Sequence, residues 1–469
     1  MKDKKKRIYV IRHAESEGNR MGIVQGQRAH YPLSAHGRHQ AATLAKVRRI
    51  EFNKVNKIVS SPLARAKETA RFYAQALGVP LITEPLMIEV NPGVLENLPS
   101  KDACRFFPES YYHWLQRGDL DAIPHAETGD QLQARAIAVL YEYTQRTAGS
   151  QLWVTHAGFL RSLINTANKR PRSTPLDVSH DAVHRLYSPS FGVKFEQQTL
   201  AKKSSVFIVH TCDRSYVLKD TPRALGECDD LQHKILTALR MRTDRVPRLL
   251  LSQTRQGGDR ETYNLKVFEY TQGVHVFGPL NNNNAQELIN ATYELSEHLL
   301  AIGKSLTETF IPTLYDYLVE SFMSISSSDL QSYGKALLAT SELKIASVYK
   351  DMAIVNFDIH RANLLWDNGR LRFIDLETFV RADPLFQLGS MLVASVLLEE
   401  PNFSLINRYL NAWPKIVDRS KLWFYMKARA FIGAAYFQCR LEQGSTQPED
   451  TEILSRYLKV IELLKERNN

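Results

Sequence analysis

Short apolar runs alternate with amphipathic stretches through the first 188 residues. Ile8–Ile11, Lys57–Val59, Leu152–Val154 and Val183–Tyr187 are brief and rich in β-branched residues, which predicts strands. Apolar positions spaced by three and four predict helices over Ala35–Arg49, Pro62–Leu77 and Phe159–Ala167. Ser61 is the expected N-cap of the second helix, with Pro62 at its first position. Strands that alternate with helices imply an α/β sheet. Near Ser188–Phe191 the period changes. Val193–Gln197, Val206–His210, Tyr216–Lys219 and Tyr263–Tyr270 read as extended, and from Asn284 onward the pattern is helical, interrupted by Ile354–Ile374. A boundary near residue 189 therefore separates an α/β domain (1–188) from a second domain (189–469). The second has a small β lobe over about 189–280 and a helical lobe over about 281–469.

The charge distribution sharpens this division. The chain has 469 residues and a net charge of +10. Residues 1–188 hold 27 Lys/Arg against 17 Asp/Glu, and the remainder holds 33 of each, so the whole excess lies in the first domain. That domain also carries nine of the fourteen histidines. A basic domain beside a neutral one implies an anionic ligand. No zinc-finger or RNA-recognition spacing supports nucleic acid as that ligand. Four scattered cysteines are too few for a disulfide framework or a zinc site, so a reduced, cytoplasmic compartment is expected. The basic start from Lys2 to Arg7 leads into Ile8–Ile11 and then directly into Arg12-His13, which reads as a strand and not a signal peptide. The apolar patch Met391–Leu398 is too short to span a bilayer. A soluble chain without a membrane partner is expected; the oligomeric state is left open.

Four ordered motifs stand in the first domain. Arg12-His13-Ala14-Glu15-Ser16-Glu17-Gly18-Asn19 follows the first strand. Ser60-Ser61-Pro62-Leu63-Ala64-Arg65-Ala66-Lys67-Glu68-Thr69-Ala70 joins a strand to a helix. Glu89 lies in Met87-Ile88-Glu89-Val90, and Val154-Thr155-His156-Ala157-Gly158 joins another strand to a helix. A neutral His13 nitrogen can attack phosphorus, while Arg12, Arg65 and His156 neutralise the equatorial oxygens. Asn19 can add a neutral donor, and Glu89 can protonate the leaving oxygen and then activate water. Over residues 6–188 this set resembles the histidine phosphatase (phosphoglycerate mutase-like) superfamily. The resemblance implies a three-layer α/β fold and catalytic residues His13, Glu89 and His156. Arg12, Asn19 and Arg65 would bind the substrate phosphate, with no cofactor. Glu89 and His156 are only 67 positions apart, which leaves little lid and favours hydrolysis over mutase chemistry. His30, His36, His39, His113, His125 and His184 have no comparable support; His180 is the one further candidate at the rim.

The second domain holds Val355-Asn356-Phe357-Asp358-Ile359-His360-Arg361-Ala362-Asn363, followed by Phe373-Ile374-Asp375. This pattern resembles the aminoglycoside phosphotransferase/choline kinase family over roughly residues 190–469. The resemblance implies a two-lobed, protein-kinase-like α+β fold that uses ATP and Mg²⁺ to phosphorylate a small-molecule hydroxyl. Asp358 would accept the acceptor proton, and Asn363 and Asp375 would hold the metal. Lys219 would meet the α/β-phosphates, and Glu269 with Tyr270 would form the hinge to adenine. Gln232 or Glu227 is the candidate partner of Lys219, and Gln197 to Ser205 the candidate phosphate loop. Departures are Asn356 in place of the usual His, Phe357 in place of Gly, and Gln387 in place of a second Asp. The expectation is a bifunctional enzyme acting on related metabolites. The alternative is an active phosphatase regulated by a weak nucleotide- or metabolite-binding lobe.

Overall fold

Side-chain alternation along β1 (Lys6–Arg12) decides how the first part of the chain is layered. Ile8 and Val10 point to one face and Tyr9 and Ile11 to the other, and all four are buried. A strand buried on both faces needs a layer over each. β1 lies inside a five-stranded sheet with β2 (Val55–Ser60), β3 (Leu81–Thr83), β4 (Ser150–Thr155) and β5 (Val183–Ser188), in the order β3-β2-β4-β1-β5. The pairings are parallel except that of β5 with β1. Helices α1 (Ala35–Val47) and α2 (Ala64–Leu77) cover the face of Tyr9, Ile11, Ile58 and Val154. Helices α3 (Gly129–Tyr141) and α4 (Ala157–Ala167) cover the face of Ile8, Val10, Val59 and Trp153. The four expected strands are all present, three of them longer by three residues and the last by one.

The computed structural model describes residues 6–117, 119–188, 191–198, 205–222, 229–256, 262–276, 282–306, 311–340 and 353–465. Most of the expected phosphate loop (199–204) and Glu227 lie outside the described residues.

Helix α3 is buried without a break from Leu132 to Tyr141. A helix apolar all round must be covered on its outer side as well. A second sheet supplies that cover: β6 (Phe195–Gln198), β7 (Ser205–His210), β8 (Ser215–Pro222), β9 (Leu249–Gln256) and β10 (Thr262–Glu269), antiparallel in the order β6-β7-β8-β10-β9. Val209, Leu218, Leu250, Leu265 and Val267 of this sheet join one apolar cluster with Ile137 and Leu140 of α3. Carboxylates seal its rim. Asp130 accepts from Arg214 (2.7 Å), Arg172 and Tyr216 (3.0 Å), and Asp220 accepts from Tyr141 (2.8 Å) and Arg146 (2.9 Å). By contacts the chain divides into one unit of Met1–Glu227 with Leu249–Tyr270, and another of Cys228–Arg248 with Thr271–Asn469.

The second unit is mainly helical: α5 (Asp229–Arg240), α6 (Asn282–Gly303), α7 (Leu314–Met323), α8 (Ser328–Leu338), α9 (Pro384–Met391), α10 (Phe403–Ala412), α11 (Arg419–Glu442) and α12 (Pro448–Lys465). β11 (Val274–His275), β13 (Leu364–Asp367) and β14 (Arg370–Phe373) form a small antiparallel sheet. β12 (Ala353–Asn356) pairs with β15 (Phe379–Ala382), a strand too short to be visible as a pattern. α11 packs on α12 closely enough that a Cβ at Gly433 would meet the Tyr457 ring at 2.2 Å. Among the described residues no helix is long and apolar enough to cross a membrane.

A chain ending at Ser188 would bare the outer face of α3 and strip Asp130 of Arg214 and Tyr216. Such a chain is expected to aggregate or to unfold well below the full-length protein, whereas one ending at Tyr270 should elute as a discrete species. Size-exclusion chromatography and thermal unfolding of the two chains check this, and a monodisperse chain of 1–188 with undiminished thermal stability would contradict it.

Candidate active sites

β1 delivers His13 to the C-terminal edge of the first sheet, where its backbone N–H donates to the Thr155 carbonyl at the end of β4 (2.9 Å). His13 Nδ1 lies 2.7 Å from the carbonyl oxygen of Ala14. A carbonyl only accepts, so Nδ1 carries the proton and Nε2 keeps its lone pair. Burial holds the His13 pKa well below 6.5, with help from His156, Arg65 and Arg12. The imidazole is therefore neutral at physiological pH.

Three cationic or polar donors surround it. Arg65, in the first turn of α2, is 1% exposed and donates to the carbonyls of Gly26 (2.8 Å) and Arg28 (2.9 Å). Burial lowers its pKa to about 10, opposed by Glu89, so it remains charged at neutral pH. Arg12 donates to the Val178 carbonyl (3.1 Å). The His156 ring lies 5.0 Å from that of His13 and stands at the N-cap of α4, where the helix dipole favours an anion. Among the described residues, Arg12 Nε, Arg65 Nε and His156 Nδ1 are buried and meet no protein partner. Buried donors left open in this way are the signature of a site for an oxyanion.

Ser61 does not cap α2 as its place before Pro62 predicts; the helix starts at Ala64 with Leu63 as N-cap. The Ser61 hydroxyl instead accepts from the Leu63 N–H (3.3 Å) and lies 2.7 Å from His156 Nε2. Donating its own hydrogen to Nε2 places the proton of neutral His156 on the open Nδ1. Glu89 accepts from Val90 N (2.8 Å), Phe159 N (3.1 Å) and Gly158 N (3.3 Å), which seats its carboxylate at the start of α4. A Cβ at Gly158 would lie 2.8 Å from Glu89 Oε1 and would push the carboxylate from this seat. Asn19 closes a capping box with Ser16 at the short helix Glu17–Arg20, so its Oδ1 is already engaged. His180 packs against His13, with its Nδ1 on the His13 carbonyl and ring centroids 5.7 Å apart. Sequence reasoning missed Arg135. It is buried in α3 and donates to the carbonyls of Leu86 (2.7 Å) and Ile88 (2.9 Å), just before Glu89. A lone arginine inside the apolar run Leu132–Tyr141 was the available signal.

The other candidate set divides between the two units. Lys219 lies in β8, largely buried, with its ammonium 5.9 Å from the centre of the Phe268 ring. Glu269 ends β10, and the Tyr270 N–H donates to the Ser215 carbonyl (3.3 Å), tying the expected hinge to the β7–β8 turn. In the second unit, Asp358 follows β12 and its N–H donates to Asn356 Oδ1 (3.1 Å). The Asn356 N–H donates to Gln387 Oε1 (3.2 Å), and Gln387 Nε2 donates to the Thr292 carbonyl (3.1 Å). Two of the three departures from the family pattern, Asn356 and Gln387, thus meet in one neutral hydrogen-bond network. Asn363 Nδ2 donates to the Asp358 carbonyl (3.1 Å), and Ile374 N–H to the Asn363 carbonyl (2.8 Å), which anchors Asp375 nearby in sequence. Asp375 has φ +62, an uncommon left-handed conformation for a residue with a side chain. Gln232 Nε2 donates to the Leu376 carbonyl (3.1 Å). Arg429, buried in α11, was also missed; it donates to the Phe357 carbonyl and lies 3.9 Å from the Asp358 carboxylate. Among the described residues no group of three or more His, Cys, Asp or Glu gathers to hold a metal. An amide and a carboxylate as hard oxygen donors still suit Mg²⁺, which retains waters and takes nucleotide phosphates.

Comparisons with known proteins match two families in succession, and the second match draws on residues of both units. The model of the histidine phosphatase superfamily (branch 1) matches residues 8–188, and that of the phosphotransferase enzyme family matches residues 198–422. A Yersinia pestis protein named "Probable phosphoglycerate mutase GpmB" is 34% identical over 161 residues, covering 34% of this chain and 73% of that protein. Among solved structures, the alpha-ribazole phosphatase of Shigella flexneri aligns with TM-score 0.32 at 26% identity, over 35% of this chain and 81% of its own. Amicoumacin kinase hAmiN, solved in complex with AMP-PNP, Ca²⁺ and Ami, aligns with TM-score 0.47 at 14% identity, over 58% of this chain and 89% of its own. This chain belongs to the histidine phosphatase superfamily through residues 8–188 and carries a phosphotransferase-family domain over residues 198–422.

Proposed function

We propose that residues 1–188 hydrolyse a phosphomonoester through a phosphohistidine, and that residues 189–469 phosphorylate a small-molecule hydroxyl from ATP with Mg²⁺. The observation that carries the first part is the neutral, Nδ1-protonated His13 beside three buried donors without protein partners. The His13 Nε2 lone pair forms the P–N bond as the P–O bond to the leaving group breaks. Glu89 gives its proton to the departing oxygen. Arg12, Arg65 and His156 stabilise the charge on the equatorial oxygens, and Asn19 would add a neutral amide donor. Water then attacks phosphorus, Glu89 takes its proton, and the P–N electron pair returns to Nε2. No metal enters these steps. The short span from Glu89 to His156 supports hydrolysis over transfer to a second acceptor.

For the second domain, Asp358 is the base for the acceptor hydroxyl, and Asn363 and Asp375 would hold Mg²⁺. Bound there, the cation would neutralise the nucleotide phosphates and favour transfer. Lys219 would meet the α/β-phosphates, and Glu269 with Tyr270 would present backbone to adenine. The Asn356–Gln387 network supports an active site over a purely regulatory lobe, because the side chains at both departures find hydrogen-bond partners. The free thiols of Cys104, Cys212 and Cys439 support a reducing, cytoplasmic setting. Joining the two domains in one chain supports action on related metabolites.

His13→Ala is expected to lower phosphate release from a generic phosphomonoester by at least about 10³-fold and to abolish acid-labile labelling of the protein by substrate phosphate. Unchanged turnover would remove the assignment.

Because the folded-state pKa of His13 is depressed, its neutral form persists below pH 6.5. The acidic limb of kcat/KM should therefore fall below 6.5, while stability declines as pH drops past that value and the unfolded chain binds protons that the folded one resists. A pH–rate profile and thermal unfolding from pH 4 to 8 measure both.

In the His13→Ala background, incubation with ATP, Mg²⁺ and a metabolite extract should yield species heavier by one phosphoryl group by mass spectrometry. These species should disappear with Asp358→Ala. Nucleotide binding without any such product would favour the regulatory reading.

A further inference from the structure

The candidate acid Glu89 sits at the end of a segment whose first residue is tied to the second sheet of the same unit. Glu84 is 2% exposed, and its carboxylate is gripped by both outer nitrogens of Arg255 from β9, at 2.6 Å and 3.0 Å. Tyr143 adds a hydroxyl donor at 2.9 Å. Glu84 in turn organises the residues after it. Its Oε1 accepts from the Leu86 N–H (3.0 Å), its carbonyl accepts from Met87 (3.1 Å), and these bonds form the single 3₁₀ turn Pro85–Met87. Glu84 N–H also donates to the Ser60 carbonyl (2.8 Å), next to Ser61 and its contact with His156. From that turn the chain needs two residues to reach Glu89. Arg135 fixes the intervening carbonyls of Leu86 and Ile88, and Gln27 Nε2 holds the Glu89 carbonyl (3.0 Å).

We propose that Arg255, a residue outside the segment that matches the phosphatase family, is a positioning residue for phosphatase catalysis: through its two-pronged grip on Glu84 it sets the turn that aims Glu89 at the leaving oxygen. This rests on the reading of Glu89 as the acid. A planar guanidinium fixes both distance and plane of the carboxylate it grips, which a point charge does not. Carbonyl clamps from Arg135 restrain the segment's middle, while the Arg255–Glu84 pair restrains its start. The consequence is that the phosphatase site is completed only when the second sheet is in place.

The test uses the leaving group as the probe. An alkyl phosphate such as glycerol phosphate expels a strongly basic alkoxide and needs the proton from Glu89. 4-Nitrophenyl phosphate expels a stable phenolate and needs it far less. kcat/KM reports the step up to leaving-group departure, so dephosphorylation of the enzyme does not obscure the comparison. In the full-length chain, Arg255→Lys, and Glu84→Gln combined with Arg255→Met, should lower kcat/KM for glycerol phosphate by about tenfold or more beyond any loss with 4-nitrophenyl phosphate. The double variant removes both charges together, so no unpaired buried carboxylate remains to unfold the protein. Circular dichroism and thermal unfolding confirm the fold. Equal losses on the two substrates, or none on either, in folded variants overturn the proposal. Glu89→Gln is the reference. If it shows the leaving-group selectivity and the Arg255 variants do not, the positioning role alone fails. If Glu89→Gln lacks the selectivity, the assignment of Glu89 fails and the proposal with it.

Discussion

Leu132 to Tyr141 of α3 have no solvent-facing side, and the rest of the first unit is arranged around meeting that requirement. One flank packs on the parallel sheet through Ile8, Val10 and Trp153, and the other on the antiparallel sheet through Leu218, Leu265 and Val267. Burying a helix on both flanks removes more apolar surface from water than a half-exposed helix can, at about 25 cal/mol per Å². It also commits the polar groups along α3 to partners on either side. Asp130 and Tyr141 reach toward the second sheet, while Arg135 reaches toward the segment that ends at Glu89. The same helix therefore carries both the packing between sheets and part of the support for a reacting side chain.

The pocket around His13 shows the opposite tendency. Other buried charges of the unit are paired with one another, such as Arg255–Glu84 and Arg146–Asp220. At the pocket, Arg12 Nε, Arg65 Nε and His156 Nδ1 are buried and unanswered among the described residues. Each such group costs about 1–3 kcal/mol when left without a hydrogen bond. A fold tolerates that only where the surroundings hold the groups in place, and here backbone carbonyls and Ser61 do so. Donors fixed in advance need not reorganise when charge develops on a phosphoryl group, which is the physical basis of electrostatic catalysis.

In the second unit the backbone leading into Asp358 is held by neutral side chains. Asn356 and Gln387 share a hydrogen bond and extend the network to Thr378 and Thr292. A change at only one of these positions would leave a buried donor or acceptor unmatched; changing both keeps the network closed. Asn363 Nδ2 lies 3.4 Å from the carboxylate, His360 Nε2 3.6 Å, and the buried cation Arg429 3.9 Å, with its guanidinium also set against the Phe357 ring.

The sequence by itself pointed to the two families, to four of the strands and three of the helices in the first domain, and to the motif residues His13, Arg65, Glu89, His156, Asp358, Asn363 and Asp375, because these depend on local period and short spacing; β3, α3 and β9 were not legible in it. Tertiary structure decided what those residues meet. Ser61 looked like a helix cap because Pro62 comes next; only the approach of β4 shows that its hydroxyl serves His156. Arg135, Arg255 and Arg429 lie in stretches without motif character, and their roles arise from partners 47, 171 and 72 positions away. Which nitrogen of His13 is protonated was likewise invisible, since it depends on where the Ala14 carbonyl points. Local pattern is written in neighbouring residues, whereas partners distant in sequence become neighbours only when hydrophobic burial brings the layers together.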